Sequence, residues 1–186
     1  MDDIVKQALR KWPNVPACWG WLALDMRGNW WLRDAQAQAQ GSFPYSKGDL
    51  LVHEKLRDFI GRNYEADEQG HWFFQNGPQR VYVELENTPM VWRVDGAGQV
   101  LAHTGTAVQQ VQQCVVDEAG HAYLQCDGVL GLVHSQDMVH VAQLLENGHW
   151  QWVQQPAAQL PAMFGFVRSP QQAQGLKTRD QGTDAA

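Results

Sequence analysis

The chain has 186 residues, 44% of them hydrophobic and 18% charged, and a net charge of −6. That length makes one domain or two small ones, and that apolar content is enough for a core, which excludes a disordered chain. The acidic balance argues against a nucleic-acid backbone or an anionic membrane surface as the principal partner.

The opening Met1-Asp2-Asp3-Ile4-Val5 is acidic where a signal peptide is basic. No stretch nears the roughly 18 apolar residues of a membrane span. Cys18, Cys114 and Cys126 show no C-x-x-C spacing, which reads as free thiols in a reducing compartment. The expectation is a cytoplasmic protein.

Residues 2–12 carry Ile4, Val5, Ala8, Leu9 and Trp12 at helical spacing, with acids first and Arg10 and Lys11 last. This predicts an N-terminal helix, stopped by Pro13 and Pro16. A hairpin signal then recurs: Asp25-Met26-Arg27-Gly28, Asp67-Glu68-Gln69-Gly70, Asp95-Gly96-Ala97-Gly98 and Asp117-Glu118-Ala119-Gly120 all read D-x-x-G. Aspartate favours the start of a type I turn and glycine the left-handed residue that closes a three-residue hairpin loop. Between the first two turns, residues 35–48 read as a loop by composition and residues 53–64 as a helix. Residues 80–86 alternate, with Val81, Val83 and Leu85 on one face of a strand and Arg80, Tyr82, Glu84 and Glu86 on a polar, solvated one. A helix capped by Ser135 and running to about Glu146 is predicted, a strand over 138–142 being the alternative. From Arg168 on, apolar residues nearly vanish, which predicts a disordered tail.

Sliding the chain by fifty residues lays Leu51 on Leu101, His53 on His103, and Asp67-Glu68-x-Gly70-His71 on Asp117-Glu118-x-Gly120-His121. The expected architecture is therefore α+β, with two similar hairpin-rich subdomains from an internal duplication. It has an N-terminal helix and one or two further helices. Residues 1–95 form the first subdomain, 96–167 the second (repeating about 51–90), and 168–186 the tail. A crevice between the subdomains is the default ligand site.

Charge is lopsided: no lysine or arginine lies between Arg93 and Arg168, a stretch holding six acids and many glutamines. An anionic ligand must be held by the first half or by backbone amides, while the second half suits a protein surface or a neutral ligand. The repeated histidines His53, His71, His103 and His121 lack metal-ligand spacing and read as surface or capping residues. Cys114 and Cys126 flank the fourth turn but have no basic neighbour to activate a thiolate. No phosphate-binding glycine loop or serine-nucleophile motif occurs, and no catalytic residue, cofactor or metal is expected. Nine tryptophans are a high load for 186 residues, and rings of this kind build cores or stack planar ligands.

The stretch from Gly28-Asn29-Trp30-Trp31 through His53-Glu54-Lys55-Leu56 and Asp67-Glu68-Gln69-Gly70-His71-Trp72-Phe73-Phe74 to Val83-Glu84-Leu85-Glu86-Asn87-Thr88-Pro89 resembles a proteobacterial family of unknown function. The order of elements over residues 28–95 is also similar to a second unknown-function family, whose strand ends V-E-D-x-P-F; here Met90 stands for its phenylalanine. That resemblance implies a duplicated α+β core, a loosely pleckstrin-homology-like second domain, and a nucleotide-like ligand between domains in signalling. The leading expectation is a non-enzymatic ligand-binding or regulatory module. It holds a small planar ligand through Trp72, Phe74, Trp92, Arg80, Tyr82, Glu84, Glu86 or Asn87. A protein–protein adaptor using the acidic second half is the alternative, and a hydrolase using Glu84 or Glu86 the third reading.

Overall fold

The computed structural model describes residues 1–175. The N-terminal stripe forms α1 (Asp3–Lys11). The first sheet is then laid down by β1 (Cys18–Leu24), β2 (Trp30–Leu32) and β3 (Asp49–Leu50), with α2 (Ala35–Gln40) and α3 (Glu54–Arg62) around β3, and by β4 (Tyr64–Ala66), β5 (Trp72–Asn76) and β6 (Gln79–Leu85). The second sheet comprises β7 (Met90–Val94), β8 (Val100–Ala102), β9 (Val111–Val116), β10 (Ala122–Cys126), β11 (Val129–Val133) and, after α4 (Met138–Glu146), β12 (Trp152–Gln154). A short α5 (Leu160–Phe164) follows.

The sheets are two copies of one plan. Their orders are β3-β2-β1-β6-β5-β4 and β12-β9-β10-β11-β7-β8. In each, a hairpin (β1–β2, β7–β8) is followed by a three-strand meander (β4–β5–β6, β9–β10–β11). The meander's last strand lies parallel to the hairpin's first, β6 beside β1 and β11 beside β7. The duplication therefore reaches further than the fifty-residue match. The hairpins repeat as well, Asp25 answering to Asp95, seventy residues apart because α2, β3 and α3 are inserted in the first copy.

One core joins the sheets. Leu22, Leu24, Trp30, Tyr64, Trp72, Phe74, Val83 and Leu85 of the first pack with Val115, Tyr123, Leu130 and Leu132 of the second, and Leu160 and Phe166 close the margin. The crevice expected between the subdomains is filled by these side chains. What remains at the seam is a concavity of about 240 Å³ lined by Gly28, Trp30, Arg57 and His103 among others. A second core lies under α4, where Val141 and Leu144 meet Trp92, Val94, Val100, Cys114, Leu124 and Val133. The second sheet is bent round: Ala102 N–H donates to Thr106 O and Val108 N–H to Val100 O, so the chain entering β9 first pairs with β8. That draws the two ends of the sheet together.

Two expectations change and one choice is settled. Residues 35–48 are not all loop: α2 has no apolar stripe, but Asp34 Oδ1 caps it by accepting from Ala37 N at 2.8 Å. The buried Arg33 then ties the segment down, donating to the carbonyls of Gly20, Gly41 and Ser46. The helix expected to run to about Glu146 does form, over residues 138–146, and its strand alternative falls away. The polar side of β6 is not solvated, since Tyr82 is 6% and Glu84 4% exposed. The cover comes from the expected tail: Leu85 N–H donates to Arg168 O, Glu84 accepts from Ser169 Oγ–H and Gln171 N–H, and residues 170–175 are helical. The rest of that tail, 176–186, lies outside the described residues.

Candidate functional site

The four D-x-x-G segments fold identically. In each the aspartate Oδ1 accepts the backbone N–H groups two and four residues on: Arg27 and Asn29, Gln69 and His71, Ala97 and Gln99, Ala119 and His121, all at 2.8–2.9 Å. The closing glycines stand at φ +79 to +82, where a Cβ would be strained. These bonds satisfy amides that the hairpin ladder cannot reach, which is why the sequence repeats aspartate there.

The second oxygen separates the turns. Asp25 Oδ2 accepts from Asn29 Nδ2–H and Trp31 Nε1–H, each at 3.0 Å. Asp67 Oδ2 takes His71 Nδ1–H at 3.1 Å and Tyr82 O–H at 3.2 Å. Asp117 Oδ2 takes His121 Nδ1–H and Tyr123 O–H, both at 2.9 Å. Burial by itself raises all three carboxyls, but these hydrogen bonds outweigh it and hold them below the ordinary aspartate range. His71 and His121 are thus turn caps, and His53 caps α3 by accepting from Leu56 N–H. Asp95 differs: its Oδ2 has no partner among the described residues.

Most of the expected site residues do structural work. Trp72, Phe74 and Trp92 are 8%, 5% and 4% exposed, and Trp92 Nε1–H donates to Leu124 O at 2.8 Å, so these rings build the cores. Glu84 is spent on the C-terminal segment, and burial pushes its carboxyl above the usual range. Glu86 accepts from Met26 N–H and pairs with Lys47 at 3.5 Å. Asn87 Nδ2–H donates to Tyr123 Oη at 3.2 Å, linking the passage between the sheets to the second one. Arg80 and Tyr82 remain together in an open cleft of about 540 Å³. There Tyr82 stacks on Trp19 at 3.8 Å and the Arg80 guanidinium lies 4.5 Å from the Phe73 ring centre.

A larger cleft, about 980 Å³, wraps the β7–β8 turn on the second sheet, lined by Arg93, Asp95, Gln99, Val108, His140 and Trp150 among others. Arg93 is held there by a two-point pair with Asp137, at 2.6 and 3.0 Å. That pair keeps Asp137 below, and Arg93 above, its ordinary range. Sequence reasoning had no reason to prefer Asp95, Gln99 and Trp150. The one available signal was comparative: at the fourth and sixth positions after the aspartate, this turn alone offers Gln99 and Leu101.

The thiols split by burial. Cys114 and Cys126 are buried, their pKa values pushed up to about 11 and about 12 chiefly by desolvation, whereas Cys18 is half-buried. We expect a disulfide reagent to label Cys18 alone in the folded protein and all three cysteines in guanidinium. Labelling of Cys114 or Cys126 at the Cys18 rate, read by peptide mass, would contradict this burial. Among the described residues no group of three metal-ligating side chains forms, and no helix is long and apolar enough to cross a membrane.

Comparison with known proteins gives a family. The DUF2944 family profile, described as "Protein of unknown function (DUF2946)", matches residues 1–171, and the chain belongs to that family. No curated protein matches it. Two solved structures are similar to it. One, a DUF1285 family protein from Shewanella baltica OS155, is 15% identical with a TM-score of 0.48, covering 67% of this chain and 91% of that one. The other, a DUF1285 family protein from Silicibacter pomeroyi DSS-3, is 14% identical with a TM-score of 0.48, covering 73% and 75%.

Proposed function

We propose that this family member is a non-enzymatic ligand-binding module with a regulatory role, and that its small planar ligand sits in the cleft around the β7–β8 turn. The observation that carries this reading is the cleft itself. Its volume of about 980 Å³ falls at the upper end of the usual range for ligand pockets, and it combines the Trp150 ring and apolar Val108 with convergent polar groups. The bent second sheet with α4 across it is read as pleckstrin-homology-like, a frame that leaves such a cleft beside a hairpin. We set the subdomain division between Leu85 and Met90, not after residue 95 as the sequence suggested, because that keeps the β7–β8 hairpin whole in the second sheet. The acid–base alternative loses support because Glu84 and Glu86 are both committed to holding chain segments.

The Arg80–Tyr82 cleft supports a second reading. Arg80 has no carboxylate partner among the described residues and lies beside the Trp19–Tyr82 stack, an arrangement suited to a planar anion such as a nucleotide.

A thermal-shift screen against nucleotides, flavins, nicotinamides and planar organic cations tests both. A ligand at about 100 times its dissociation constant stabilises by about 2.7 kcal/mol, which raises the melting point by about 5–10 °C in a chain of this size. The first reading expects that shift to be lost in Trp150→Leu and kept in Arg80→Ala; the reverse pattern assigns the site to the first sheet. A flat screen moves the reading to a protein–protein adaptor, for which the exposed edge strand β12, with Trp152 at 53% and Val153 at 39% exposure, is the observation in hand.

A further inference from the structure

The protein carries its own comparison for the cleft, since the same turn occurs four times in one chain. At three turns the aspartate Oδ2 accepts two hydrogen bonds. One comes from the side chain four residues on (Asn29, His71, His121), the other from a conjugated ring donor. In two of them that ring stands six residues on, Trp31 and Tyr123. In the Asp67 turn, where Phe73 holds that place, Tyr82 reaches across from β6. A carboxylate oxygen met by two N–H or O–H donors is therefore the finished state of this turn. At Asp95 both donors are absent: Gln99 gives only its backbone N–H, to Oδ1, and Leu101 has nothing to give. Asp25 and Asp117 are 4% exposed, while Asp95 is exposed and lines the large cleft.

The surroundings define what would complete it. Arg93, the one lysine or arginine lining the cleft, is committed to Asp137 by its two-point pair, so Asp95 is the acid without an arginine or lysine there, His140 and His149 being the other basic side chains of the lining. No further lysine or arginine occurs in residues 94–167. Trp150 lines the cleft wall, and an indole is the ring that attracts a cation most strongly.

We infer that the cleft takes a planar organic cation of the amidinium or amino-heteroaromatic class, whose paired N–H groups bind Asp95 Oδ2 as Asn29 and Trp31 bind Asp25. This deepens the reading of the β7–β8 cleft as the ligand site and rests on it. Two bonds from one rigid cationic group to a carboxylate are short and charge-assisted, so the preference over an anion of the same shape is strong.

The test is a titration of the full-length, ¹⁵N-labelled protein with benzamidinium and, separately, with benzoate, two rings of the same shape and opposite charge. Benzamidinium is expected to shift the amides of Asp95, Gly98 and Gln99 and the Trp150 indole N–H, and to bind at least tenfold tighter than benzoate. Asp95→Asn keeps an acceptor for the loop amides and is expected to lose that tenfold preference. Leu101→Tyr installs the ring donor that Tyr123 supplies to Asp117, leaves the carboxylate in place, and is expected to compete the probe away. Benzoate binding the cleft as well as benzamidinium does, or benzamidinium binding there equally in wild type, Asp95→Asn and Leu101→Tyr, would overturn the ligand class and leave the cleft as the site. Neither probe shifting cleft residues at millimolar concentration would overturn the site itself.

Discussion

Replacing Asp117 with alanine is expected to lower the unfolding free energy by about 3–5 kcal/mol, while Asp95→Ala costs about 1 kcal/mol. The two residues hold the same place in the same turn, so the difference isolates what their surroundings add. Asp117 accepts from Ala119 N, His121 N, His121 Nδ1 and Tyr123 Oη, and it is 4% exposed. Its loss leaves the fully buried Tyr123 hydroxyl without an acceptor, and burial already pushes that phenol up to about 12. Because Tyr123 also accepts from Asn87 between the two sheets, the damage is not confined to one hairpin. Asp95, being exposed, surrenders only two backbone bonds that water replaces. Urea unfolding of both variants reads the difference directly. Equal costs would mean that the occupied and open turns are energetically alike, and the contrast that singles out Asp95 would go with it.

Where the sequence carried local chemistry, the fold was legible. Asp and Gly mark the four turns because only those residues supply the acceptor and the left-handed backbone, and α1 and α3 show in their apolar spacing. The duplication was half legible. The meanders align at fifty residues, but the hairpins align at seventy, and the insertion of α2, β3 and α3 hides one offset behind the other. Non-local contacts were the rest of the difficulty. Glu84 alternates with apolar residues and so reads as a solvated side chain, yet Ser169 and Gln171, from a segment without apolar signal, bury it. Helix α2 fails in the opposite way, its AQAQAQ lacking any stripe, because a cap and the Arg33 guanidinium supply what packing does not. The candidate site was hidden for the same reason: the aromatics that looked like ligand rings are core. The residue that stands out, Asp95, does so through partners it lacks, and the sequence hinted at this only by placing Gln99 and Leu101 where Asp25 and Asp117 have donors.

His103 sets the second large effect, a loss of stability in mild acid. It was expected to be a surface or capping residue. Instead Nδ1 accepts from Val91 N–H at 3.2 Å, which places the neutral ring's proton on Nε2, and Nε2 is sealed from solvent without a partner among the described residues. The ring packs near Trp30 and Tyr64, with centroids 5.4 and 6.1 Å away. Burial drives its pKa down from 6.5 to about 4, and the Asp25 carboxylate offsets only part of this. The folded state therefore resists protonation that the unfolded chain accepts. Stability is complete above pH 6.5 and falls as pH drops toward 4, by roughly 3 kcal/mol over the interval. Between pH 6.5 and 5 this loss is largely separable from that of the hydrogen-bonded aspartates, while Glu84, raised by burial, contributes in the opposite direction whether or not residue 103 titrates. Asp25, Asp67, Asp117 and Asp137 are held below the ordinary aspartate value of 3.8, so their contribution disappears at lower pH. His134, lowered by burial and by Arg93, adds a contribution of the same sign. The variant that separates them is His103→Asn, whose side-chain oxygen can still accept from Val91 N–H but cannot titrate. Chemical denaturation of wild type at pH 7, 6 and 5 should show a slope approaching 1.4 kcal/mol per pH unit, and the variant should show little of it. The same slope in both proteins would assign the acid sensitivity elsewhere and leave the seam between the sheets indifferent to His103.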